Sequence, residues 1–241
     1  MFTEVGLAAV LVVALTVANA VSLQWLAVAA VLAVGMWAAD ITGAAEWRGL
    51  AVASTPGLLG VLGGVLATYR YGAPGIAAAT VGVTLFVLIW GVVNPHLRSI
   101  ESIASGVSIA TTAAFSSGSL VLLRLRSEEE AAAFLFVAGL AIVVAWLSDR
   151  SDMPVIDPLV AMIVGAIAAG AIAGATWAPD LLNTIAASVA AALAFVAGRN
   201  QGTLLRAGGF FTFDPIPGRL HYLDALLMAA GPFWVLLTVL G

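Results

Sequence analysis

The segment APGIAAATVGVTLFVLIWGVV, at residues 73–93, carries no charged residue along its whole length. A helix needs about 20 mainly apolar residues to cross roughly 30 Å of bilayer hydrocarbon. The apolar residues run continuously, which excludes the period-two alternation of an outer-membrane barrel strand. The segment therefore predicts a membrane-spanning helix.

The rest of the 241-residue chain has the same character, with 62% hydrophobic and 9% charged residues. Soluble domains carry about 25% charged residues, and no soluble fold of this size could bury so much apolar surface. We therefore predict an all-α polytopic membrane helical bundle in one integral membrane domain, residues 1–241. The nine predicted spans are 5–21, 23–39, 50–68, 73–93, 102–123, 131–148, 158–177, 181–198 and 222–240.

Residue types that are missing from the sequence exclude several chemistries. The chain has no cysteine, so disulfides, thiolate catalysis and cysteine-containing zinc sites are excluded. It also has no lysine, which excludes a Schiff base of the retinal-protein kind. The net charge of −4 gives no indication of a nucleic-acid partner. The first apolar segment lacks a basic leading region, and we interpret it as a retained helix.

Arginine distribution predicts the orientation, because cytoplasmic connections of inner-membrane proteins are enriched in basic residues. The connections after spans 2, 4, 6 and 8 carry more arginines than those after spans 3 and 5. We therefore predict a multi-pass inner-membrane protein with a cytoplasmic N-terminus and cytoplasmic loops at 148–158 and 199–221. The two sets are Arg48, Arg98, Arg150, Arg199, Arg206 and Arg219 against Arg70, Arg124 and Arg126.

The fifth span is the least apolar of the nine. Small and hydroxylated residues let membrane helices approach closely and share hydrogen bonds. The span is therefore expected to be surrounded by protein, with most of its hydroxyl groups serving packing. Its hydroxylated residues are Ser105, Ser108, Thr111, Thr112, Ser116, Ser117 and Ser119.

Two connections contain enough polar groups for chemistry, and the first is 148–158. Its carboxylates Asp149, Asp152 and Asp157 could hold a hard divalent cation such as Mg²⁺. Alternatively, Asp157 before Pro158 is typical of a helix N-cap. Asp149 follows an apolar helix end, where the helix dipole does not favour a carboxylate.

The second is the Arg199 to Asp224 region, where arginine forks and glycines suit phosphate recognition. Asp224 lies inside the ninth apolar run, so its charge needs a partner or an ion. A pair with Arg219 or His221 is the simpler alternative. We expect both connections to meet at one cytoplasmic cavity, with Asp149 and Asp224 facing it.

Three stretches of the C-terminal half resemble the phosphatidate cytidylyltransferases, also called CDP-diacylglycerol synthases. They are VAWLSD at 144–149, GRNQGTLLRAG at 198–208 and IPGRLHYLDALLMAAGPF at 216–233. Family members typically read W-x-x-D-T-G-A-Y, G-D-L-x-E-S-x-x-K-R and P-G-H-G-G-x-L-D-R-x-D-S-L. The resemblance covers residues 120–241, so we divide the domain into N-terminal helices, 1–123, and cytidylyltransferase-like helices, 124–241.

The resemblance implies a membrane enzyme that joins CTP to phosphatidic acid and releases pyrophosphate, or a related lipid-phosphate reaction with Mg²⁺. Asp149 and Asp224 would be catalytic, and Asp149, Asp152 and Asp224 would bind the metal. The residues implied for substrate binding are Arg206, Arg219, His221 and Gly218.

Departures from the family pattern leave two other hypotheses open. Arg199 stands where the G-D-L carboxylate is expected, and His221 replaces the first aspartate of D-R-x-D. An arginine at a metal-ligand position would repel a cation. A non-catalytic scaffold or accessory subunit, working as a homodimer or in a membrane complex, is therefore the second hypothesis. A small-solute transporter that uses the polar fifth span is the third.

Overall fold

A computed structural model describes residues 2–150, 156–178, 180–207 and 218–241. Within these ranges the chain forms nine α-helices and one 3-10 turn, without a β-strand, which confirms the all-α bundle. Seven of the helices, α2 and α4 to α9, are long and apolar enough to cross a membrane. The helices are α1 (Phe2–Val21), α2 (Leu23–Trp47), α3 (Ser54–Tyr71), α4 (Ala73–Val93), α5 (Ile100–Arg126), α6 (Glu128–Arg150), α7 (Pro158–Thr176), α8 (Leu181–Ala207) and α9 (His221–Leu240).

Helix ends follow local capping signals. Ser22 separates α1 from α2 and accepts the backbone N–H of Trp25. Asp157 accepts the N–H of Leu159 at 2.8 Å with Pro158 at the first helical position, so the N-cap interpretation of Asp157 is confirmed. Gly72, at φ 65°, allows the abrupt turn from α3 to α4.

The central helix is α5, which packs against α2, α3, α4, α6 and α9. Its hydroxyl groups make the contacts that the sequence predicts for a helix surrounded by protein. Ser116 Oγ donates to the Leu227 carbonyl of α9 at 2.6 Å, and Ser117 Oγ donates to the Val61 carbonyl of α3 at 3.2 Å. Large apolar side chains such as Leu66, Val81 and Leu193 are exposed on the outside of the bundle, where lipid would lie.

Long-range hydrogen bonds identify the two ends of the bundle. At one end Arg48 donates to the Leu205 carbonyl at 2.9 Å, joining the ends of α2 and α8. We call this the Arg48 end, and it is the end predicted to be cytoplasmic. At the opposite end, here called the Arg124 end, Arg124 donates to the Asn19 carbonyl at 3.2 Å.

Two helices extend well beyond their predicted spans, and these differences move charged residues. α2 continues past residue 39 to Trp47, and α8 continues past residue 198 to Ala207. The predicted loop 199–221 is therefore wrong in its first part, since Arg199 and Arg206 lie on α8. An apolar run predicts only the part of a helix that lies in hydrocarbon. α2 and α8 continue beyond that part because their polar residues have partners there.

Candidate functional site

Asp224 is buried at the start of α9, with 4% of its surface exposed. It faces α8 at Gly198 and Gly202, which are one helical turn apart. A Cβ on Gly202 would overlap the Asp224 carboxylate, and a Cβ on Gly198 would overlap the Asp224 backbone carbonyl. The two glycines therefore allow α9 to approach α8 closely, as small residues do between membrane helices.

Arg206 lies on the same face of α8, four residues after Gly202, and its side chain is fully buried. Its Nε and Nη2 donate to the two carboxylate oxygens of Asp224 at 3.1 and 2.9 Å. Its Nη1 donates to Oδ2 of Asp40 at 2.6 Å. The planar guanidinium fork suits this bidentate geometry, so Arg206 bridges carboxylates from α2 and α9.

Two side chains of α2 complete the arrangement. Trp37 donates its indole N–H to Oδ1 of Asp224 at 2.7 Å. Asp40 accepts the backbone N–H groups of Arg219 and Leu220 at 2.8 and 3.0 Å. These N–H groups lead into α9, so Asp40 also faces the positive end of the α9 dipole. We call the side chains of Trp37, Asp40, Arg206 and Asp224 the carboxylate–arginine cluster.

The cluster joins α2, α8 and α9 through one cation and two anions. Arg206 and Asp224 are removed from water, while Asp40 is partly buried, with 17% of its side chain exposed. Hydrogen bonds to charged groups contribute more than those between neutral groups. Removal of one partner from such a buried set leaves a charge without compensation. The geometry therefore makes the cluster a rigid connection among three helices.

A small pocket adjoins the cluster at the Arg48 end, and we call it the polar pocket. Its polar wall is formed by Arg199, Thr203, His221 and Asp224, while α6 and α7 supply apolar side chains that include Ala145. Its volume of about 10 Å³ is roughly that needed for one water molecule. Nδ1 of His221 is buried there, with no hydrogen-bond partner among the described residues. The pocket therefore has room and a free polar atom for one small polar group.

The structure brings together several of the residues that the sequence singles out. Asp224 and Arg206 belong to the cluster, and His221 lines the adjoining pocket. Gly218 packs against Arg206 and has φ 105°, where a Cβ would overlap the guanidinium. The ends of α8 and α9 therefore do converge at one polar region.

Other predicted residues lie outside this convergence. Arg219 is exposed and contributes its backbone N–H to the cluster. Asp149 is exposed on the last turn of α6 and does not line the polar pocket. Asp152 falls outside the described residues, so its predicted role as a metal ligand stays a prediction.

The cluster does not fit a divalent cation. Arg206 lies between Asp40 and Asp224 and occupies oxygens that a metal would need. The described part of the chain contains no group of three or more His, Cys, Asp or Glu side chains that could hold a metal ion. The partner of Asp224 is thus Arg206, whereas the sequence suggested Arg219, His221 or an ion.

Sequence analysis missed Asp40 because the second span was ended at residue 39. It missed Trp37 because an aromatic residue within an apolar span does not indicate a polar contact. A carboxylate inside the polar end of an apolar helix is the same signal that identified Asp224. The four-residue spacing of Gly198, Gly202 and Arg206 is a second signal, since it places all three on one helix face. Together these patterns could have predicted a close α8–α9 contact with a cation in it.

No family model, curated protein or solved structure matches the chain. The resemblance to the phosphatidate cytidylyltransferases therefore stays a prediction from the sequence.

Proposed function

We propose that this chain is a membrane-embedded enzyme that acts on a lipid phosphate at the Arg48 end, as a divergent relative of the phosphatidate cytidylyltransferases. In the proposed reaction, a phosphate oxygen of phosphatidic acid attacks the α-phosphorus of CTP. A phosphorus–oxygen bond forms there as the bond to the β-phosphate oxygen breaks. Pyrophosphate leaves, and CDP-diacylglycerol is the product.

The observation that carries this proposal is a pair of arginines beside the polar pocket that have no carboxylate partner among the described residues. Arg199 lines the pocket, and Arg219 is exposed two residues before His221. In the ranges that the structure describes, neither side chain forms an ion pair. Guanidinium groups bind phosphate oxygens well and stabilise negative charge that develops during phosphoryl-type transfer.

The pocket is too small for a nucleotide, so the substrates would bind at its mouth. Arg219 would contact phosphate oxygens there, while Arg199 and His221 would act from the pocket wall. Arg206 and Asp224 would position these groups by fixing α8 against α9. Asp149 lies one helical turn beyond the pocket residue Ala145 and would be a ligand for Mg²⁺, which would offset phosphate charge.

A non-catalytic scaffold or accessory subunit is the second candidate, and one observation favours it. The cluster carboxylates are already paired with Arg206, and the adjoining pocket is nearly closed. In that case the cluster would serve assembly, and a second copy or another membrane protein would be the partner.

The decisive experiment incubates the purified protein with labelled CTP, phosphatidic acid and magnesium and measures CDP-diacylglycerol. Arg199→Gln is expected to reduce turnover by about tenfold or more, since a charged hydrogen bond contributes about 1.5–3 kcal/mol. Asp149→Asn is expected to abolish turnover, because an amide replaces an anionic ligand. Arg98→Gln is the matched control, being an exposed arginine in the α4–α5 connection at the same end.

Wild-type protein that binds no CTP at millimolar concentration, with magnesium and phosphatidic acid present, would exclude the enzymatic proposal. Binding of CTP without product would favour an accessory role. Equal losses in Arg199→Gln and Arg98→Gln would show that the arginines act through bulk surface charge and not through a site.

We further propose that the Arg48 end faces the cytoplasm, with the N-terminus on the same side. The support is the larger number of arginines toward that end of the bundle, in the connections and in the helix ends beside them. A single cysteine at the exposed position 219, in the variant Arg219→Cys, is expected to react with a membrane-impermeant thiol reagent only after the inner face is opened. Labelling from outside intact cells would reverse the orientation.

A further inference from the structure

Asp40, in the last third of α2, binds the chain at the point where α9 begins. Its Oδ1 accepts the backbone N–H of Arg219 at 2.8 Å, and its Oδ2 accepts that of Leu220 at 3.0 Å. The first N–H groups of a helix have no partner within the helix, so a carboxylate there supplies the missing acceptors. Asp40 therefore caps α9 from a position 179 residues earlier in the chain.

The chain can pass this close to Asp40 because residue 218 is a glycine. Gly218 has φ 105°, where a Cβ would lie 2.7 Å from Oδ2 of Asp40 and would overlap the guanidinium of Arg206. Leu220 holds the same backbone from the other side, since its side chain is 2% exposed and belongs to the core. These contacts together fix the backbone just before α9.

This fixed backbone carries two of the groups assigned to the lipid-phosphate site. Arg219 is exposed, while His221, two residues later, lines the polar pocket. Both side chains leave the chain within one residue of an N–H group that Asp40 binds. A displacement of about 1 Å in a reacting or binding group can cost about a hundredfold in rate. A shift of the start of α9 would therefore disturb both groups at once.

Arg206 does not need Asp40 to neutralise its charge. Asp224 already accepts from its Nε and Nη2, and Asp40 accepts from its Nη1. With both carboxylates ionised, the cluster holds one anion more than it has cations, which is unfavourable unless other donors bind the extra carboxylate. The two backbone N–H groups at the start of α9 are those donors. Asp40 therefore serves the start of α9 as much as it serves Arg206.

We propose that Asp40 is a positioning residue of the lipid-phosphate site, which holds the start of α9 so that Arg219 stays at the surface and His221 in the pocket wall. Its effect on turnover rests on the proposed function, whereas its effect on the start of α9 does not. The site is then built by both halves of the domain. α2 belongs to the N-terminal helices, 1–123, to which the resemblance assigned no site residue.

The first test measures the motion of the start of α9 in the full chain. The chain has no cysteine, so the variant Arg219→Cys carries a single nitroxide while keeping the backbone N–H of residue 219. In electron paramagnetic resonance spectra, Asp40→Ala is expected to speed the motion of this nitroxide about threefold or more, because two N–H groups lose their acceptor. Arg206 keeps its pair with Asp224, so the packing of α8 against α9 remains.

Two controls separate the role of Asp40 from a general loosening. Asp180→Ala is the matched variant, because Asp180 accepts the N–H of Asn183 at 2.9 Å and caps α8 at the opposite end. It is expected to leave the nitroxide unchanged. Sodium formate supplies a free carboxylate, and the 17% exposure of the Asp40 side chain gives it access. It is expected to restore slow motion in Asp40→Ala, whereas sodium chloride at the same ionic strength is not.

The second test measures CDP-diacylglycerol formation with Arg219 in place. Asp40→Ala is expected to lower kcat about tenfold or more, and formate is expected to recover part of the loss. Asp40→Asn keeps the volume and one acceptor oxygen, so a smaller loss is expected. A wild type that forms no product would contradict the proposed function, while the nitroxide spectra would still decide the role of Asp40.

Three results would overturn the positioning role. The first is a nitroxide that moves no faster in Asp40→Ala, or moves equally faster in Asp180→Ala. The second is faster motion that formate does not reverse, since the carboxylate would then not be the cause. The third is an active protein whose turnover is the same in the wild type, Asp40→Asn and Asp40→Ala.

Discussion

The two ends of the bundle use arginine in different ways. At the Arg48 end, Arg206 is fully buried and pairs with Asp40 and Asp224, which are 166 and 18 residues away in sequence. At the Arg124 end, Arg124 and Arg126 pair with Glu128 and Glu130, each four residues further along the chain. The first set connects three helices, whereas the second closes the turn between α5 and α6. Among the ion pairs of the described residues, the first set therefore links helices that are distant in sequence, while the second is local.

The largest difference between the ends is expected when Arg206 is replaced. Arg206→Met would leave the buried Asp224 and the partly buried Asp40 without a cation, and removal of one partner from a buried ion pair costs about 3–5 kcal/mol. The measurement is the free energy of unfolding from an SDS titration in mixed micelles, in which circular dichroism monitors the loss of helix. A loss below about 1 kcal/mol would mean that the cluster does not hold α2, α8 and α9 together.

A smaller effect is expected from added volume at the α8–α9 contact. Gly202→Ala would place a methyl group against the Asp224 carboxylate, and overpacking of this kind costs about 1–3 kcal/mol. Gly82→Ala on α4 is the matched control, since a Cβ there has no atom within 4 Å, and removal of a helical glycine can stabilise by up to about 1 kcal/mol. The same SDS titration compares the free energies of unfolding of the two variants. Equal changes in Gly202→Ala and Gly82→Ala would argue against a close α8–α9 contact.

The smallest effect is expected at the Arg124 end. Arg124→Met removes an exposed pair with Glu128, and such pairs contribute about 0.3–0.5 kcal/mol when four residues apart. Arg124 also donates to the Asn19 carbonyl, so the loss is expected to stay near 1 kcal/mol. A loss as large as that of Arg206→Met would remove the distinction between the two ends.

Sequence reasoning predicted the fold because a segment that crosses the bilayer must be both apolar and helical. Apolar runs located the nine helices of the described residues, and α4 was placed at its observed bounds, 73–93. The hydroxyl groups of α5 correctly indicated a helix surrounded by protein. Periodicity and composition suffice for such features because each depends on residues close together in the chain.

The candidate site was less predictable because its partners are distant in sequence. Burial of Asp224 in an apolar run correctly indicated the need for a partner. The identity of that partner depended on the continuation of α8 to Ala207, which hydropathy alone did not predict. Asp40 was likewise assigned to a connection. The sequence therefore indicates which charge must be compensated, while the three-dimensional packing determines which residue compensates it.

The pairing of Asp40 with Arg206 has a consequence for how the protein is made. Asp40 emerges from the ribosome 166 residues before its cation, a delay of about 10–30 s at usual rates of synthesis. During that time the last third of α2 carries Asp40 without its partner, which favours keeping this part of the helix at the membrane surface, in contact with water. The pairing of Asp40 with Arg206 must therefore await the synthesis of α8, so the Arg48 end of the bundle is completed late.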